Sequence, residues 1–231
     1  MERPGEVVFG CSSSPLERPG EVALWIFFIT FMLIMKGVCH ISTVALAILL
    51  GFATTYAQTA KYDVFFMGKK IGETTVQMKD SVGFKLYSLH NISRFKFLFW
   101  DKKINMSGHV VVDRNGLMTI ATFESIRENG NYVTRTTCDK DKLTIDKNGE
   151  IRVISGAVRF PSILLYFFEP RDLQKFFYEP KGTFIEVKKE AEGLYTTELN
   201  NHSDKYTYRS GKLILVEMKN SLGSIFMKLV N

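Results

Sequence analysis

The chain has 231 residues, three cysteines and a formal net charge of +6, with 45% of residues hydrophobic and 23% charged. The basic excess is mild and scattered, with no run of five cations, as on a solvated protein face; no nucleic-acid partner is expected. Cysteines at positions 11, 39 and 138 give no disulfide framework, so any fold must rest on its core.

Residues 1–34 carry an exact repeat, Glu-Arg-Pro-Gly-Glu-Val at Glu2–Val7 and again at Glu17–Val22, too short to be a structural unit. They read either as upstream sequence before a misassigned start or as an extra apolar segment, since Ala23–Met35 is apolar but shorter than a bilayer span. Residues 35–57 have the layout of a signal peptide: Lys36 as the positive region, Thr43–Phe52 as the apolar stretch, and Thr55-Tyr56-Ala57 as a small-x-Ala cleavage site. The alternative is an uncleaved anchor, and so a transmembrane helix. A single helix through Ala23–Phe52 would hold Lys36 near mid-membrane at a cost of about 2.5–3.5 kcal/mol. The expected location is periplasmic or secreted, or else the inner membrane through the N-terminal segment, the only part expected to meet a membrane.

Residues 58–231 have the length of one domain. Tyr62, Val64 and Phe66 alternate with neighbours as in a half-buried strand, and Ile71–Met78 returns after a turn at Met67–Lys70. Strands are expected at Phe84–Arg94 and Lys103–Asp113, with Phe95, Phe97 and Phe99 on one face of the stretch between them. Asn-Gly at 115–116, 129–130 and 148–149 marks hairpin turns with positive φ, between runs at Leu117–Arg127, Tyr132–Cys138, Leu143–Ile145 and Glu150–Ile154. The C-terminal part repeats the theme with Thr183–Lys189, Leu194–Leu199, Lys205–Arg209, Lys212–Lys219 and Ser224–Val230. Phe160–Pro180 breaks the alternation. Pro161 suits a helix start, Pro170 a stop or kink, and Leu173, Phe176 and Phe177 a second helical face, so two short helices, or a helix and a loop, are expected between the two groups of strands. The predicted fold is all-β: a single antiparallel meander forming a curved sheet or partly closed barrel, with a short helical insertion near 161–178 covering its open end or concave face.

Catalytic and metal-binding patterns are weak. His90, His109 and His202 have no partner at zinc-ligand spacing, and Asp139, Asp141 and Asp146 lack the closing Glu of a calcium loop. No nucleophile elbow or phosphate loop is present. Glu169-Pro170 and Glu179-Pro180 repeat a carboxylate pair, which reads as segment boundaries rather than a glycosidase pair. No cofactor, metal or catalytic residue is expected. Aromatic residues concentrate around 95–100 and 166–178; they fit either a packed core or a greasy cavity lined by Phe95, Phe97, Leu164 and Phe168.

Tyr62-Asp63-Val64, Gly68 and Ile71-Gly72 resemble the start of secreted β-domains of unknown function. Leu165–Pro170 and Tyr206-Thr207-Tyr208 with Gly211 are similar to segments of an exported Bacteroidota β-rich family. The resemblance implies export, a signal peptide and an antiparallel β fold, and it carries no catalytic residues. The leading expectation is a non-catalytic envelope domain holding a hydrophobic or lipid-like ligand. The alternative is a protein-interaction or structural envelope domain, meeting an envelope protein along Ser224–Val230 as a free edge strand. A hydrolase built from scattered residues ranks third.

Overall fold

The computed structural model describes residues 57–97, 100–127, 130–200, 202–220 and 223–230. The expected signal segment and the stretch before it lie outside the described residues. Among the described residues no helix is long and apolar enough to cross a membrane.

Fourteen strands are described. In chain order they are β1 (Ala57–Phe66), β2 (Lys69–Ser81), β3 (Phe84–Phe97), β4 (Trp100–Asp113), β5 (Met118–Arg127), β6 (Tyr132–Asp139), β7 (Lys142–Lys147) and β8 (Glu150–Ser155). After a 3-10 helix at Ser162–Tyr166 come β9 (Lys175–Tyr178), β10 (Thr183–Ala191), β11 (Leu194–Leu199), β12 (His202–Arg209), β13 (Lys212–Asn220) and β14 (Gly223–Leu229). All lie in one antiparallel sheet of order β8-β7-β6-β5-β4-β3-β2-β1-β14-β13-β12-β11-β10-β9. Two meanders therefore join where β1 meets β14, with Tyr62 opposite Leu229 and Phe66 opposite Ile225.

That pairing corrects the expectation of a free edge at Ser224–Val230. β14 is hydrogen-bonded to β1 on one side and β13 on the other, so the sheet's edges are β8 and β9. Its inward Met227 is buried, and pairing on both sides satisfies the backbone around it.

Local turn chemistry sets the hairpins. Asn148 and Gly149 both take positive φ, 53° and 93°, the pattern of a type I′ turn between β7 and β8. At Asn115-Gly116 only the glycine is left-handed, because the Asp113 carboxylate accepts the N–H groups of Asn115 and Leu117 at 2.8 and 2.9 Å and holds a longer turn.

The sheet does not close edge to edge. The connection after β8 crosses the gap instead. Val158 is buried and its carbonyl accepts the Met118 N–H at 2.8 Å, while the Phe160 carbonyl accepts the Phe177 N–H at 2.9 Å. Side chains complete the seam. The hydroxyls of Tyr132 and Thr134 donate to the Pro180 carbonyl at 2.6 and 3.0 Å, and the Arg152 guanidinium donates to the carbonyls of Lys181 and Gly182.

The inserted segment departs from the helical expectation in its second half. Ser162–Tyr166 forms one 3-10 helix, but Phe176 and Phe177 lie on strand β9 rather than on a helical face. They pair with Ile185 and Phe184 of β10. Both are buried although adjacent, because the strand is covered on both faces. A ladder that satisfies the backbone here overrides the helical spacing of Leu173, Phe176 and Phe177.

Tyrosines tie the insertion to the sheet. Tyr208 donates to the Leu165 carbonyl at 2.7 Å and Tyr195 to the Glu169 carboxylate at 2.9 Å. Ring contacts add to this: Tyr62 meets Tyr166 edge-on at 5.6 Å, and Tyr87 meets Phe167 at a tilt at 5.4 Å.

Candidate functional site

Between the concave face of the sheet and the inserted segment lies a cavity of about 250 Å³. Its position follows from strand alternation. On β4 the residues Met106, Gly108 and Val110 step by two and face inward, as do Leu89, Asn91 and Ser93 on β3. Gly108 leaves room there: a Cβ at this position would lie 3.8 Å from Leu89 and Phe123. Val64, Ile71, Val216, Met218, Ile225 and Met227 extend the apolar wall, and Ile163 and Leu165 close it from the inserted segment.

The four residues expected to line such a cavity are placed as follows. Phe95 packs edge-on against Phe66 with ring centroids 4.7 Å apart. Leu164 is buried but turns toward a separate surface pocket with Tyr87, Val112 and Arg114. Phe168 is 43% exposed beside Phe167. The side chain of Phe97 lies outside the described residues. None of Phe95, Leu164 and Phe168 is among the cavity-lining residues, so the structure does not gather them. The insertion does meet the concave face, through Ile163 and Leu165 on either side of Leu164.

Two polar groups interrupt the apolar wall. On β2 and β3, Asn91 donates to the Thr74 hydroxyl at 2.7 Å and accepts the Ser93 hydroxyl at 3.1 Å, so this network is internally satisfied. Across the cavity stand Ser162, Tyr166, Tyr178, Glu179, Asp204 and Tyr206. Glu179 is committed to structure: its carboxylate accepts the N–H groups of Ser162 and Ile163, each at 3.1 Å, and the Ser162 hydroxyl. Burial pushes its pKa up, against the pull of those donors. Glu169, its counterpart in the repeated Glu-Pro pair, accepts Tyr195 and Arg171. Both carboxylates therefore anchor the insertion.

Asp204 differs. Burial raises its pKa from 3.8 to about 6, against the smaller downward pull of His202 and of the nearby Tyr206 hydroxyl. Burial also raises the pKa values of Tyr166, Tyr178 and Tyr206, so all three stay neutral phenols. The sign of the pH effect follows. The unfolded chain releases the Asp204 proton near pH 4 and the folded chain keeps it to about pH 6, so this group lowers stability as pH rises through that window. Thermal unfolding of the wild type and Asp204→Asn should show the variant gaining roughly 2–3 kcal/mol relative to wild type between pH 4 and 7. A difference that stays flat across that range contradicts the raised pKa.

Sequence reasoning missed Asp204 because it ended the preceding turn there. β12 begins at His202, and the alternation of Asp204, Tyr206 and Tyr208 was the available signal. His90, His109 and His202 are exposed, and among the described residues no group of three or more His, Cys, Asp or Glu could hold a metal ion.

No curated protein matches the chain. Among solved structures, the crystal structure of a β-barrel-like protein of domain of unknown function DUF1849 from Brucella abortus is similar, with a TM-score of 0.50 and 10% sequence identity. The match covers 77% of this chain and 96% of that one; at this identity the likeness is one of fold. The family described as Domain of unknown function (DUF6134) matches residues 62–230, from β1 to the residue after β14, and the chain belongs to that family.

Proposed function

We propose that this is an exported cell-envelope domain, delivered by the 35–57 signal segment, that binds a hydrophobic or lipid-like ligand without catalysis. The observation that carries the reading is the apolar cavity of about 250 Å³ under the inserted segment. It exceeds the ~150 Å³ of an engineered cavity that takes benzene and falls just below the ~300 Å³ lower end of drug-sized sites. A single alkyl chain, or one end of a longer one, suits that space and wall.

The test is native mass spectrometry of the full chain, expressed with its N-terminal segment and purified without detergent. A copurified mass that extracts into organic solvent as lipid supports the reading. A bare protein mass, together with no uptake of the apolar probe N-phenylnaphthylamine, overturns it. Gly108→Leu supplies the matched control. The added side chain projects into the cavity where a Cβ meets only ordinary contacts. Probe uptake should fall at least tenfold while stability stays equal or rises by roughly 0.5–1 kcal/mol, as strand glycines are unfavourable.

The sheet edge favours a second reading. On β8, Ile151 and Val153 are 69% and 51% exposed, on a strand whose outer edge has no ladder partner among the described residues. An envelope protein adding a strand there would satisfy that edge. Crosslinking in the native envelope from position 151 tests it.

A further inference from the structure

We infer that the cavity selects single-chain amphiphiles whose polar end donates hydrogen bonds, an alcohol or an amine, with Asp204 as the acceptor. The inference rests on the ligand-binding reading above and adds the chemistry of the head group. Its ground is how the cavity's polar capacity is distributed. A carboxylate offers about four lone-pair sites. Glu179 uses its own on Ser162 and Ile163, and Asn91 is engaged with Thr74 and Ser93. Asp204 lines the cavity beside Tyr206 and keeps acceptor capacity for a ligand.

The register places it at one end of the apolar wall. Asp204 lies opposite Met218, Met218 opposite Ile225, and Ile225 opposite Phe66. A chain lying across Ile225 and Met218 thus brings its head to Asp204. Tyr166 and Tyr178 stand at the same end and serve as acceptors for a second donor hydrogen; Tyr166 has only a weak contact from its hydroxyl to the Met227 sulfur, at 3.9 Å.

The charged groups around this end are few. Glu179 is capped by the insertion, His202 acts on Asp204 from the same strand, and Arg127 acts on Tyr178. An anionic head would face two carboxylates, Asp204 and Glu179, against the pull of Arg127 and His202.

Titration calorimetry of the full chain with n-decanol, n-decylamine and sodium decanoate at pH 8 tests this, each kept below its aggregation threshold. The chains match, so the heads decide. Decanol and decylamine should bind at least tenfold more tightly than decanoate, and the ranking of the first two tells hydroxyl from ammonium. Asp204→Asn keeps the shape and should reduce the gap to less than threefold. Decanoate binding as tightly as the others, or more tightly, overturns the head-group inference and leaves the cavity reading standing. A gap that persists in Asp204→Asn overturns the assignment to Asp204. If none of the three binds, the cavity reading falls with it. The wild-type comparison decides the head group even if the variant folds poorly.

Discussion

Phe177→Ala should lower stability by about 3–5 kcal/mol, the cost of deleting a fully buried aromatic ring. For a domain of this size that is a fall in Tm of roughly 6–20 °C. The site leaves little room for collapse. The Phe177 ring meets Phe184 edge-on at 5.4 Å, its N–H binds the Phe160 carbonyl, and its backbone bridges Pro161. Removing the ring therefore loosens β9, β10 and the connection that crosses the open seam. Phe168, nine residues earlier in the same aromatic segment, is 43% exposed, and Phe168→Ala should cost less than about 1 kcal/mol. Thermal unfolding of the two variants side by side checks the contrast. Equal losses would mean that the insertion is held by general greasiness rather than by this strand.

Phe168 and Phe177 also mark the limit of what the sequence shows. Alternation at Tyr62, Val64 and Phe66 and the Asn148-Gly149 turn are local signals, and they locate strands and hairpins because period and turn geometry are set within a few residues. The closure between β1 and β14 is not local. No short-range pattern says that the last strand pairs with the first, so β14 read as an edge. The same holds for β9. Phe176 and Phe177 are compatible with a helical face, and only the partner strand β10, with Ile185 and Phe184 in register, decides for a ladder.

The candidate site was legible as composition and illegible as geometry. Aromatic surplus pointed to a greasy interior beneath the insertion, but Leu164 and its neighbours Ile163 and Leu165 face different ways on one 3-10 turn. Which of three consecutive apolar residues looks into a cavity depends on the start of that turn. The start is fixed by Glu179, a residue well downstream in the chain. Asp204 was hidden for a similar reason: a charged residue at a strand's beginning looks like part of a turn until the register shows its inward side.

Glu179→Ala should accordingly cost about 2–6 kcal/mol. The carboxylate is buried and accepts the first two N–H groups of the 3-10 helix, at Ser162 and Ile163, and the Ser162 hydroxyl. Alanine leaves those backbone donors without their partner, each at about 1–3 kcal/mol. Glu179→Gln keeps one carbonyl oxygen, which can retain the Ser162 N–H and hydroxyl, and sets its NH2 against the Ile163 N–H, because the two donors use different carboxylate oxygens; it also removes the carboxyl group whose pKa burial raises. It should cost about 1–3 kcal/mol, the loss of one buried donor's partner, and so fall between wild type and the alanine variant. Hydrogen exchange gives the spatial readout: the Ile163 amide should exchange faster in both variants, and the Ser162 amide faster in the alanine variant but near the wild-type rate in the glutamine one. The next residue extends the consequence, because the Pro180 carbonyl receives the Tyr132 and Thr134 hydroxyls from β6. One Glu-Pro step thus holds the insertion over the cavity with its side chain and the open seam with its backbone. A glutamine variant as unstable as the alanine one would show that the acceptor kept for Ser162 does not hold this junction.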